Sequence, residues 1–201
     1  MKLHCLSSGH EHTLKLIYDK AMQKHNNTGC TYGVYSYDLH INAVVNVARQ
    51  YLDLLEEDEK ITVLIACVCH DLIEDCRMSY NAVSKMTNPQ IANIVYNVTN
   101  ELGKNRKEKA ERTYPKIKGC KLSTFVKLCD RIANMKFSYF MNDSEGMFPM
   151  YVNEHPEFYK ALHDQGVFQP MWDELCCSKK LCKRFMFTNY YRWCIFFFNS
   201  N

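Results

Sequence analysis

Glycine and proline are scarce in this chain, seven and five among 201 residues, which argues against a turn-rich β protein. β-branched alternation is nearly absent. No window reaches the roughly 18 apolar residues needed to span a bilayer, and the N-terminal MKLHCLSSGHEH lacks an apolar core of signal-peptide length. There is no repeat, no low-complexity linker and no composition break to mark a domain boundary. Disulfide-scaffold spacing is missing too, as is any Cys₄ or Cys₂His₂ pattern of a closed zinc site. The cysteines number eleven and fall mostly in apolar helical runs (Cys67, Cys69, Cys129). They read as reduced, mainly buried thiols of a cytoplasmic protein.

What is present is a globular composition, 47% hydrophobic and 23% charged with a net charge of +3, in a chain long enough for one domain with a full core. Apolar residues recur at helical spacing almost throughout. Leu14, Ile17, Ala21 and Met22 form one stripe. Ile41, Val44, Val45, Ala48 and Leu52 form a second, with Asp38 as its expected cap. Ile61, Leu64, Ile65 and Val68 form a third. Asn88-Pro89 is a helix start with proline in the first turn, leading Ile91, Ile94, Val95 and Val98. Leu122, Phe125, Val126, Cys129 and Ala133 continue the pattern, followed by Tyr151 to Leu162 and Met171 to Leu181. The expectation is an all-α fold, a single domain over 1–201 with its core at about 10–165 and a helical, aromatic extension at about 166–201. The terminal FMFTNYYRWCIFFFNSN reads as a last element packed on the core, with an exposed patch for a partner or membrane surface as the alternative.

The chemistry concentrates in CVCHDLIEDC, residues 67–76. If the helix continues through it, His70, Asp71, Glu74 and Asp75 share one broad face. Four such groups after ITVLIACVC are costly to bury without a cation, or else they are an exposed helix end. The dipeptide alone is weak: a second His-Asp pair, His163-Asp164, sits beside a glycine turn and reads as a helix end. The first pair differs in its company. His40 borders one apolar stripe and Asp130 is embedded in another. Cys67 and Cys69, about 200° apart on a helix, are better read as core, and so are the cysteines flanking the motif generally.

The order His40, His70-Asp71, Asp130 resembles the H…HD…D ligand order of the HD-domain metal-dependent phosphohydrolases. HDLIED is similar to the HDxxED motif of the hydrolase domain of the alarmone (ppGpp) synthetase/hydrolases and of their small stand-alone relatives. AMQKH, VTNELGKNRKEKAER and KLCDRIANM resemble three further segments of that family, in order. The resemblance implies a helical HD domain in which His40, His70, Asp71 and Asp130 bind one divalent ion, typically Mn²⁺. Two imidazoles and two carboxylates suit Mn, Fe or Zn better than Ca. Glu74 and Asp75 follow the family's catalytic acid pair. Lys24, Lys109 and Asn134 match substrate-contacting positions. The absence of histidine between 70 and 155 disfavours a two-metal cyclic-nucleotide phosphodiesterase.

The run from Lys104 to Lys121 carries eight Lys or Arg and two Glu. It reads either as solvated surface or as a phosphate-gathering segment. No aromatic-interleaved stripe or groove-reading motif accompanies it, so nucleic acid is the weaker partner. One departure bears on the base: Gln23 stands where the small hydrolases carry an Arg, and glutamine supplies no charged planar face. Tyr35, Tyr37 and Tyr151 are the candidate stacking partners instead. The implied activity is guanosine-3′,5′-bis(diphosphate) 3′-pyrophosphohydrolase. The alternatives are another nucleotide phosphatase, acting on 5′-mononucleotides or the NADPH 2′-phosphate, and a catalytically silent nucleotide-binding module.

Overall fold

The structure, a computed structural model, describes residues 7–141 and 147–180, with side chains through 176. Along the chain come α1 (Ser8–Thr28), a hairpin of β1 (Thr31–Tyr32) and β2 (Tyr35–Ser36), α2 (Asp38–Gln50), a 3₁₀ turn (Leu52–Leu54) and α3 (Glu57–Cys69). They are followed by α4 (Tyr80–Met86), α5 (Pro89–Val98), α6 (Arg106–Lys118), α7 (Lys121–Phe140), α8 (Met147–Leu162) and α9 (Gln169–Lys180). The hairpin is antiparallel, with Tyr32 opposite Tyr35, and turns through Gly33 in the left-handed region (φ 62°). Among the described residues the fold is all-α apart from this one short ribbon.

Local chemistry explains most helix starts. Ser7, Ser79, Asn88 and Asn105 each accept a hydrogen bond from a first-turn backbone N–H, satisfying donors that have no intrahelical partner. Asn88 does so at 2.9 Å from Ile91 N, with Pro89 behind it. Asp38 is the first residue of α2 rather than its cap, which is Tyr37.

Helix α3 is apolar all round and buried, Thr62 through Cys69 without a break, as expected for a helix walled in by neighbours. It packs against α1, α2, α5 and α7, while α7 reaches α2, α3, α5, α6, α8 and α9. Phe125, Leu128 and Ile132 of α7 are fully buried. The core runs past residue 165, because Phe168, Met171, Trp172 and Leu175 are buried in it too. Residues 181–201, with most of the aromatic terminus, lie outside the described residues.

Two helices carry no apolar stripe strong enough to announce them. Helix α4 is seven residues long and buries only Val83. Helix α6 buries only Thr113 and Ile117 and holds Pro115 in its last turns. Among the described residues no helix is long and apolar enough to cross a membrane.

Candidate active site

Helix α3 ends at Cys69, with His70 as its C-cap. Residues 71–76 therefore form a run of turns, held by Asp75 N–H to Asp71 O at 2.8 Å and Met78 N–H to Leu72 O at 3.1 Å. The shared helical face expected for His70, Asp71, Glu74 and Asp75 does not exist. The turn instead aims His70 and Asp71 inward and leaves Glu74 and Asp75 at the rim.

His40 comes from the first turn of α2, His70 and Asp71 from the end of α3, and Asp130 from the middle of α7. His40 Nε2 lies 3.2 Å from His70 Nε2, 3.4 Å from Asp71 Oδ2 and 3.5 Å from Asp130 Oδ1. His70 Nε2 lies 2.9 Å from Asp71 Oδ2 and 3.8 Å from Asp130 Oδ1. Donors bonded at about 2.1 Å to one ion stand about 3.0 Å apart at right angles and about 3.8 Å apart at wide angles, so these spacings fit a single small cation.

The donor chemistry agrees. His70 Nδ1 is 2.8 Å from the Cys67 carbonyl, which must be met by an N–H, so Nε2 carries the lone pair. Two buried imidazole edges turned toward each other and toward two carboxylates need a proton or a metal between them. Without a metal, burial lowers the affinity of His70 for a proton, but the charges of Asp71 and Asp130 override it and push its pKa up to about 10. Asp71 and Asp130 are correspondingly held below the usual carboxylate range: burial opposes this, His70 drives it at Asp71, and Lys127 and then His70 drive it at Asp130.

A shell of side chains orients the acids. Lys127 donates to Asp130 Oδ2 at 2.9 Å and Asn134 Nδ2 to Asp130 Oδ1 at 2.5 Å, while Tyr32 donates to Asn134 Oδ1 at 2.7 Å. Asn134, expected as a substrate contact, thus has both ends of its amide engaged around Asp130. Tyr37 Oη sits 2.5 Å from Asp71 Oδ2 and 2.6 Å from Asp75 Oδ2. A phenol has one proton to donate, so the second contact calls for a proton on Asp75. Burial and the Asp71 charge raise the Asp75 pKa, although its bond to Tyr37 works the other way.

An open cleft of about 260 Å³ runs outward from this cluster, walled by Glu74, Asp75, Arg106, Lys109, Arg131 and Tyr151 among others. Glu74 is fixed by Asn100, whose backbone N–H and side-chain amide donate to its two oxygens at 3.1 and 3.0 Å. Most of the basic run is neutralised locally: Arg106 pairs with Glu154, Arg112 with Glu108, Lys116 with Glu101 and Lys121 with Glu59. Lys109 faces the cleft with no ion-pair partner among the described residues. It is set there by a close approach: a Cβ on Gly103 would meet Lys109 N at 2.7 Å.

Lys24 and Gln23 are exposed on α1 and are not part of the cleft wall. Tyr37 is buried with its hydroxyl committed to carboxylates, so it offers no face to a base. Tyr151 does line the cleft, with the Arg131 guanidinium 4.7 Å from its ring centre. His163, of the second His-Asp pair, stacks on Tyr159 at 4.2 Å beyond the end of α8 and joins no ligand cluster among the described residues. Tyr32, Lys127 and Asn100 had no role in the sequence reading, and Tyr37 entered it only as a candidate stacking partner. Lys127, inside KLCDRIANM, and Asn100, inside VTNELGKNRKEKAER, stood in segments that could have flagged them.

The all-helical fold is similar to that of HD-domain proteins. No family model matches the chain. In sequence it is 30% identical over 104 residues to the guanosine-3′,5′-bis(diphosphate) 3′-pyrophosphohydrolase MESH1 of Drosophila melanogaster, a match taking in 48% of this chain and about half, 54%, of that relative. In structure it superimposes with a TM-score of 0.63 on a solved chain described as a metazoan ortholog of SpoT that hydrolyzes ppGpp, at 19% identity over 89% of this chain and 97% of the other.

Proposed function

We propose that this protein is a metal-dependent nucleotide phosphohydrolase that removes the 3′-diphosphate of guanosine-3′,5′-bis(diphosphate), as the relative's name describes for that enzyme. The observation that carries the reading is the convergence of His40, His70, Asp71 and Asp130 at the floor of a cleft whose rim holds Glu74, Asp75 and the unpaired Lys109. Those four residues would hold the ion; their mixed imidazole and carboxylate ligands suit Mn, Fe or Zn, and the family resemblance favours Mn²⁺. When bound, such an ion polarises phosphoryl oxygens and makes a nearby water more acidic.

The chain's own groups supply the rest. Lys109 Nζ offers a positive charge to the diphosphate oxygens. Asn100 holds the Glu74 carboxylate still at the rim, where it orients the attacking water. The Glu74 carboxylate takes up the proton that water loses, and Asp75, carrying a proton at Oδ2 beside Tyr37, gives that proton to the departing 3′-oxygen as the O–P bond breaks, yielding GDP and pyrophosphate.

A second reading, a phosphatase of broader base preference, is favoured by one observation: neither Gln23 nor Lys24 reaches the cleft wall. A panel of nucleotides incubated with the Mn²⁺-loaded protein separates the two. Pyrophosphate release from ppGpp, abolished in His70→Ala, is the expected result. Monophosphate release from 5′-mononucleotides or NADPH, with ppGpp untouched, overturns the first reading in favour of the second. Binding without turnover, alike in wild type and Glu74→Ala, overturns both.

A further inference from the structure

On the opposite side of the Glu74-Asp75 turn lies a second cluster of metal-ligating side chains. Helix α1 ends in Gly29, whose φ of 69° reverses the chain. The backbone N–H of Cys30 then bonds back to the His25 carbonyl at 3.0 Å, a left-handed helix termination that folds Cys30 over the turn carrying His25. From the other direction the turn after α3 delivers Cys76. His25 Nδ1, Cys30 Sγ and Cys76 Sγ all come within 4.8 Å of one another, with His25 Nδ1 3.3 Å from Cys76 Sγ. The Thr28 hydroxyl sits between the sulfurs, 3.1 Å from Cys30 and 3.7 Å from Cys76.

His25 has no solvent exposure, and its Nε2 finds no partner among the described residues. Burial holds the ring neutral, its pKa lowered to about 4, and neutral imidazole is the metal-binding form. Cys76 is thus not the core cysteine that its place beside the HD motif suggested. The two cysteines are unbonded thiols.

We propose that His25, Cys30 and Cys76 form a separate site for a thiophilic divalent cation of the zinc type, with three protein ligands and one open position. A tetrahedral ion with bonds of about 2.0 Å to nitrogen and 2.3 Å to sulfur holds its donors about 3.5 to 3.8 Å apart; His25 Nδ1 and Cys76 Sγ stand at 3.3 Å, and all three donors lie within 4.8 Å of one another. Binding releases a proton from each thiol, so M²⁺ plus two Cys–SH gives a neutral M(S⁻)₂(His) centre and two H⁺. The Thr28 hydroxyl is placed to stabilise the thiolates. Soft sulfur donors distinguish this site from the His/Asp cluster, whose ligands are all nitrogen and oxygen. Its consequence is mechanical: Cys76 directly follows Glu74 and Asp75 in the turn after α3, so an ion shared by Cys76, Cys30 and His25 clasps that turn to the end of α1.

Cobalt titration of the metal-stripped full chain, kept reduced by a phosphine, tests this. Thiolate-to-cobalt charge transfer gives a near-ultraviolet band that nitrogen and oxygen ligands cannot produce. The band is expected to saturate at one Co²⁺ per chain in wild type and in His70→Ala, and to be displaced by Zn²⁺. It is expected to vanish in Cys30→Ser and in Cys76→Ser, with circular dichroism reporting that each variant is folded. Absence of the band in reduced wild type overturns the proposal. So does its persistence in the Cys30→Ser/Cys76→Ser double variant, which would assign it to other cysteines.

Discussion

Replacing Tyr37 with phenylalanine removes one oxygen from the place where the proposed metal-binding and proton-handling groups meet. The ring is buried and stacked on His25 at 4.3 Å, so the substitution leaves packing intact. What is lost is the hydroxyl bridging Asp71 Oδ2 at 2.5 Å and Asp75 Oδ2 at 2.6 Å. A hydrogen bond to a charged group contributes about 1.5–3 kcal/mol, and each 1.4 kcal/mol is tenfold in rate. Asp71 keeps its contacts with both histidines and rim solvent reaches Asp75, so the fold loses about 1 kcal/mol, or roughly 2–4 °C in Tm for a chain of this size. Turnover of ppGpp with Mn²⁺, followed by pyrophosphate release, should fall by about 10- to 100-fold. Tyr35→Phe, at an exposed hairpin ring edge-on to Phe137, should stay near wild type. A Tyr37→Phe enzyme within twofold of wild type would refute the bridging role. A rate loss matched by loss of the folded state would refute it equally.

Gly103→Ala puts a methyl group 2.7 Å from the Lys109 backbone nitrogen. Since backbone cannot swing aside, α6 must shift, costing about 1–3 kcal/mol, and KM should rise, as it should in Lys109→Ala; unchanged KM in both would detach Lys109 from the substrate. Asn88→Ala deletes the 2.9 Å cap on Ile91 N and should cost about 1 kcal/mol in urea unfolding with kcat unaltered, the cap being remote from the cleft. His25 binds its proton at pH about 4 in the fold and near 6.5 when unfolded. Between those values the unfolded state holds more protons, so stability falls as pH drops through the window, by about 3 kcal/mol in total. Urea unfolding of metal-stripped wild type and His25→Gln should show that slope only in wild type.

The local signals in the chain were strong where burial is one-sided or complete. The stripes through α1, α2, α5 and α7 and the unbroken apolar run of α3 announce their helices because a 3.6-residue repeat is a local property. Asn88-Pro89 announces a helix start for the same reason. The set His40, His70, Asp71 and Asp130 was legible as types in order, and the fold brings those four donors together. Their geometry was not legible, since 30 to 90 residues separate His40, the His70-Asp71 pair and Asp130, and only the packing of α2, α3 and α7 sets the distances of 3.2 to 3.8 Å between them.

Tertiary structure also decided which neighbours matter. It ended α3 at Cys69, so that HDLIED became a turn and its residues diverged inward and outward. It paired away most of the Lys104–Lys121 charges and left Lys109 toward the cleft. It spent Asn134 and Tyr37 on carboxylates, and it left Lys24 on the outer surface of α1. Cys30 and Cys76 illustrate the limit best: no linear spacing marks them, because the left-handed turn at Gly29 and the turn after α3 meet only in three dimensions. Sequence determined which chemistry the chain carries; the packed helices determined which of those groups face one another.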